Sequence, residues 1–176
     1  MKNRPTPKPT LVALEQGASH VKTPTQNGEL EEKTMQEFYN DVSKDVLART
    51  LWGEARGEGT IGMHAVANVI LNRVAIAQKY GSFWWGDNII QVCQKPYQFS
   101  CWNRSDPNFQ KLHRIDKNNL YFATALRLAA RGLAGSLEDI TFGATHYHAR
   151  GIKPYWANTK KPCTILGNHV LYSLVK

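Results

Sequence analysis

The chain has 176 residues, 42% hydrophobic and 20% charged, with 22 basic against 14 acidic side chains and a formal net charge of +8. That length and apolar content support one modest domain with its own core, and exclude both a disulfide-stapled miniature fold and a wholly disordered chain. The charge is uneven: residues 1–40 hold five basic and five acidic side chains, so the whole excess lies in residues 41–176, where 17 basic face 9 acidic. Such a module favours polyanions, including wall polymers that carry carboxylates and phosphates.

Residues 1–40 place Pro5, Pro7, Pro9 and Pro24 among Lys, Thr, Gln and Glu, with one short apolar patch at 11–14, and are expected to form a flexible arm or linker. The N-terminus lacks a hydrophobic signal core, and no apolar run approaches the roughly 20 residues that cross a bilayer, so stable membrane insertion is not expected. From Val46, the residues Val46, Leu47, Thr50 and Leu51 recur at helical spacing, with Asp41 or Ser43 as N-cap and Gly57 placed to end the helix. Near its end stands Glu54, a carboxyl group walled by Leu51 and Trp52 and so disfavoured as an anion, the condition a general acid needs. Glu58 follows four residues later, and Gly57 is expected to release it into the turn. Thr60 then caps a second helix, whose Met63, Val66, Ala67, Ile70, Leu71 and Val74 make one buried stripe.

Between Tyr80 and Trp102 the chain is aromatic and turn-rich, with Phe83, Trp84, Trp85, Tyr97 and Phe99 among Gly81, Gly86 and Pro96. Flat rings on such a loop can stack on sugar faces; Trp85 and Trp102 are assigned to packing. A third helix is predicted over 117–134, capped by Asp116 and ended by Gly132 or Gly135. Residues 141–149 and 164–175 are rich in Thr, Tyr, Val and Ile and predict a small β-hairpin, joined by a loop whose Trp156 and Asn158 approach the substrate. The fold class is therefore α+β, mainly helical.

Cys93, Cys101 and Cys163 show neither CxxC nor zinc-finger spacing and are expected as free thiols, with a Cys nucleophile as a minor alternative. His146 and His148 share one strand face, and His169 or His64 would complete a zinc site of the amidase type. Without an HExxH run or nearby acidic ligands, the expectation is no metal and no cofactor.

Four blocks stand in order: WGEARGEGTIGMHAVANVILNRV from Trp52, QKPYQFSCW from Gln94, ATHYHA from Ala144 and ILGNHVLY from Ile165. Together they resemble the catalytic domain of the spore cortex-lytic enzyme family of cell-wall hydrolases, over residues 41–176. The resemblance implies a lysozyme-like fold, action on peptidoglycan glycan strands, and Glu54 as the catalytic glutamate. It also implies that Gln98, Phe99 and Ser100, with Tyr147 and His148, line the cleft.

A hydrolytic muramidase or glucosaminidase pairs its acid with a second carboxylate roughly 5–9.5 Å away, for which Glu58 is the nearest candidate in sequence. A lytic transglycosylase needs one carboxyl group, and the resemblance leans towards it. The expected protein is a monomeric, wall-degrading lytic transglycosylase without nucleic-acid partners. Lacking a signal, it would be made in the cytoplasm and reach the periplasm or exterior as a phage-type enzyme does, through a holin or virion. The rivals are a zinc amidase or endopeptidase and a noncatalytic basic binding module.

Overall fold

The computed structural model describes residues 26–175, with side chains from residue 28 onward. Residues 1–25 of the arm predicted over 1–40 lie outside the described residues. Residues 26–40 are helical: α1 runs Gln26–Ala55, and the boundary expected near residue 40 falls inside it. All the prolines of the arm lie at or before Pro24, and the following residues, rich in Glu, Lys, Gln and Met, are strong helix formers, so neither Asp41 nor Ser43 acts as an N-cap. The first half of α1 leaves Leu30, Met35 and Phe38 exposed, whereas Val46, Leu47, Ala48, Leu51 and Trp52 are buried.

After Ala55 the chain makes one 3₁₀ turn, Arg56–Glu58, and enters α2, Gly59–Tyr80. The junction resets the helix direction, with Glu58 rather than Thr60 at the N-cap position. The stripe predicted for α2 is only one of its two buried faces. Met63, Val66, Ala67 and Ile70 join the helical core, while Ala65 and Val69 form a second cluster with Ala144 and Leu171 of the sheet region. A helix covered on two sides buries polar residues as well, here Asn68 and Arg73.

The aromatic stretch contains one short helix that its turn-rich composition concealed, α3 (Ile89–Gln94), and a second, α4 (Phe109–Arg114), follows beyond it. The third predicted helix is α5, Leu120–Leu133. Its cap is Asn119, whose Oδ1 accepts the Phe122 N–H at 3.1 Å, while Asp116 closes a local turn with the Asn118 N–H. Asn119 Oδ1 also accepts the Trp52 indole N–H at 3.3 Å, tying α5 to α1. Helices α1, α2 and α5 pack mutually, and each fully buried Leu or Ile among them contributes about 1.5–3 kcal/mol of transfer free energy.

The hairpin is part of a larger unit. Strands β1 (His146–Ala149), β2 (Thr164–Leu166) and β3 (His169–Tyr172) form an antiparallel sheet in the order β1-β3-β2. The second predicted run folds back on itself through Gly167 and Asn168, and β1 adds to the free edge of β3 with Tyr147 opposite Leu171. Within residues 28–80 one helical stretch has the length and hydropathy of a membrane span, contrary to the expectation that no run approaches that length. It is broken at Arg56–Glu58, and most of its apolar residues from Val46 onward belong to the core of the domain.

Candidate active site

A cleft of about 610 Å³ opens between the α1 end, the 97–103 loop and the sheet. Glu54 is half-buried at its base, and both carboxylate oxygens have protein donors. The Cys101 backbone N–H donates to Oε1 at 3.0 Å, and the Tyr147 hydroxyl donates to Oε2 at 3.2 Å. Leu51 and Trp52, expected as its apolar walls, point into the core instead. What surrounds the carboxylate is therefore a pair of oriented dipoles from two other parts of the chain.

Gly53 makes this arrangement possible. A Cβ built there would lie 2.5 Å from Cys101 Cβ and 2.8 Å from its Sγ, so only glycine lets the 3₁₀ turn Ser100–Trp102 approach α1 closely enough to present the Cys101 amide. Tyr147 is seated by the sheet, its ring edge-on to His169 with centroids 4.8 Å apart. Burial, and then the adjacent Glu54 charge, holds the Tyr147 phenol well above its ordinary range, so it remains a proton donor in its hydrogen bond.

Gln98, Ser100, Tyr147 and Trp156 line the cleft with Glu54. Phe99 does not: it is fully buried in the helical core, with the Arg73 guanidinium over its ring. His148 also lies elsewhere, its Nε2 hydrogen-bonded to the Tyr172 hydroxyl at 3.0 Å and its ring stacked on Tyr172. Glu58 is at the α1–α2 junction, where its Oε2 accepts the Asn168 N–H at 3.0 Å and clasps the β2–β3 turn. A Cβ on Gly167 would come within 2.9 Å of that oxygen. Among the described residues lining the cleft, Glu54 is the sole carboxylate.

The cleft includes Trp84 and Tyr97 of the aromatic stretch expected to stack on sugars, and three residues that the sequence did not place there: Arg73, Asn103 and His146. Arg73 was legible only as a cation interrupting the apolar face of α2. Its Nε donates to the Thr145 carbonyl at 2.8 Å and its Nη1 to Gln98 Oε1 at 3.0 Å, which turns the Gln98 amide group to the cleft. Burial lowers its pKa to about 10, and it stays charged at neutral pH. His146 stands between Trp85 and Trp156 and is held down to about 4, first by burial and then by the Arg73 charge, so it is neutral under ordinary conditions. Tyr97 is 91% exposed with φ of +66°, a left-handed conformation that costs a non-glycine residue on the order of 1 kcal/mol. Trp85 is fully buried, and Trp102 donates its indole N–H to Thr50 in α1, so both tryptophans assigned to packing do pack.

The histidines considered for zinc do not converge. His64 Nε2 is engaged with the Glu138 carbonyl, His148 with Tyr172, and His169 is buried against Tyr147. Among the described residues no three His, Cys, Asp or Glu side chains gather as a metal ion would require. Cys93, Cys101 and Cys163 are free; burial pushes the Cys93 thiol up to about 12 and raises Cys101 further, the opposite of an activated nucleophile.

The fold is similar to two solved structures. The catalytic domain of the Bacillus cereus SleB protein matches with a TM-score of 0.57 and 24% identity, over 74% of this chain and 88% of that one. The catalytic domain of the germination-specific lytic transglycosylase SleB from Bacillus anthracis matches with the same TM-score and identity, over 74% of this chain and 93% of that one. No curated protein sequence matches. The family described as Cell Wall Hydrolase is matched over residues 57–172, about two thirds of the 176 residues, a span that begins three residues after Glu54. With the helical fold, the cleft and this match in agreement, the chain belongs to the cell wall hydrolase family of peptidoglycan-degrading enzymes.

Proposed function

We propose that the enzyme cleaves the glycan strand of peptidoglycan between N-acetylmuramic acid and N-acetylglucosamine as a lytic transglycosylase, with Glu54 as both acid and base. The observation that carries this reading is the single carboxylate in the cleft, since a hydrolase of the usual kind needs two. Glu54 gives its proton to the glycosidic oxygen as the bond to the muramic C1 breaks. The resulting carboxylate then takes the proton of the same sugar's C6 hydroxyl, whose oxygen closes on C1 as an anhydro ring. No water enters, and Glu54 ends reprotonated. The Cys101 amide and the Tyr147 hydroxyl orient the carboxylate, and Trp84, Tyr97 and Trp156 offer ring faces to the sugars. A relative of this fold is itself described as a lytic transglycosylase.

The test is mass spectrometry of muropeptides released from purified peptidoglycan by the wild type and by Glu54→Gln. Anhydro-muramic ends from the wild type alone are expected. Ordinary reducing ends would mean hydrolysis through a positioned water, and intact strands with cut peptides would overturn the glycan assignment.

A further inference from the structure

A second depression, of about 480 Å³, is lined by His148 and Tyr172 of the sheet together with residues 150–153 and 157–158. Trp156 belongs to the cleft wall, and its ring also packs edge-on against His148 and Tyr172, which line the depression. Trp156 therefore links the cleft wall to two of the rings that line the second depression. Arg150 and Lys153 stand on the rim of the second, Ile152 and Val170 form an apolar side, and no acidic residue lines it.

The charge around this depression is one-sided. From residue 140 to the C-terminus the sequence contains Arg150, Lys153, Lys160, Lys161 and Lys176 and no Asp or Glu. Among the described residues the side chains of Arg150 and Lys153 have neither an ion pair nor a hydrogen bond. The His148 ring is engaged with the Tyr172 hydroxyl and the Ala149 carbonyl. Two unpaired cations beside an apolar wall match a ligand that alternates short alkyl groups with carboxylates.

We propose that this depression binds the carboxylate-bearing stem peptide of the same strand that occupies the cleft, a reading that rests on the glycan-strand assignment above. A strand seated against Trp156 projects the peptide from its muramic acid, and the depression lined by that indole's ring partners receives it. Arg150 and Lys153 meet the peptide carboxylates, while Ile152 and Val170 cover its alkyl groups. The site selects peptide-bearing strands without taking part in bond cleavage.

The experiment compares the wild type with an Arg150→Gln/Lys153→Gln double variant on strands freed of wall phosphate polymers, both with their peptides and after an amidase has removed them. Exposed charge pairs of this kind predict a KM about three- to tenfold lower for the wild type on peptide-bearing strands. The double variant should lose that advantage and match the wild type on bare strands. Equal impairment on both substrates, or no preference in the wild type, would overturn the proposal. So would a deficit that appears only when phosphate polymers are left attached. Binding of free stem peptide to Glu54→Gln, followed by NMR shifts at Val170 and Tyr172, judges the site independently of cleavage. Shifts without any strand cutting by the wild type would retain the site and reject the glycan reading, whereas strand cutting without shifts would do the reverse.

Discussion

Replacing Tyr147 by Phe isolates one interaction of the cleft. The phenylalanine ring keeps the edge-on contact with His169, and only the hydroxyl that donates to Glu54 Oε2 at 3.2 Å is lost. Cys101 still donates to Oε1, so the carboxylate remains tethered at one oxygen and becomes free to rotate at the other. A hydrogen bond to a charged group is worth about 1.5–3 kcal/mol. If that energy acts at the transition state, kcat falls by about 10- to 150-fold, and the length of the bond favours the lower end. Because the phenol is held above its ordinary range, it stays protonated across the working pH, and its hydrogen bond to Glu54 is available throughout. The assay is the initial rate of muropeptide release, measured beside thermal unfolding to show that the fold is intact. A folded variant within twofold of the wild-type rate would refute the orienting role of Tyr147.

Gly53→Ala should push the Ser100–Trp102 turn off α1, because its Cβ would sit 2.5 Å from that of Cys101; overpacking costs about 1–3 kcal/mol, and activity should fall more than stability explains. Thermal melts and rates at a temperature well below the transition check this, and wild-type values for both would contradict it. Glu58→Gln should lower stability by about 0.5–1.5 kcal/mol through its weaker hold on Asn168 while retaining turnover within about threefold; complete loss of turnover in a folded variant would instead identify a second catalytic carboxylate. His146 titrates near 4 in the fold against 6.5 when unfolded, so the unfolded chain binds the proton first as pH drops. Its contribution to stability is complete above pH 6.5 and is lost as pH falls towards 4. His169, also lowered by burial, acts in the same direction, so His146→Gln should flatten only part of the Tm slope below pH 6.5, and identical slopes would refute the assignment.

Local pattern was sufficient where local forces decide. The periodicity of Val46, Leu47, Thr50 and Leu51, and of Met63, Val66, Ala67 and Ile70, identified two core helices, since a side chain's face follows from its position in a 3.6-residue repeat. It did not reveal that α1 begins at Gln26, because helix propensity without an apolar stripe leaves no periodic signal. Nor did it reveal the second buried face of α2, which exists only once the sheet has folded against it.

The sequence by itself determined that a lone glutamate follows a glycine at the end of an apolar helix, that the chain is mainly helical with a small sheet, and that its charge lies in the catalytic module. Tertiary structure decided which groups meet that glutamate. Cys101 is 47 residues from Glu54 in sequence and Tyr147 is 93, and no local rule relates a backbone amide in one turn to a hydroxyl on a distant strand. Tertiary packing also separated Phe99, His148 and Glu58 from the cleft and brought Arg73 and His146 into it. A side chain's partners depend on how helices and sheet dock, and docking minimises exposed apolar area over the whole domain rather than over any one segment.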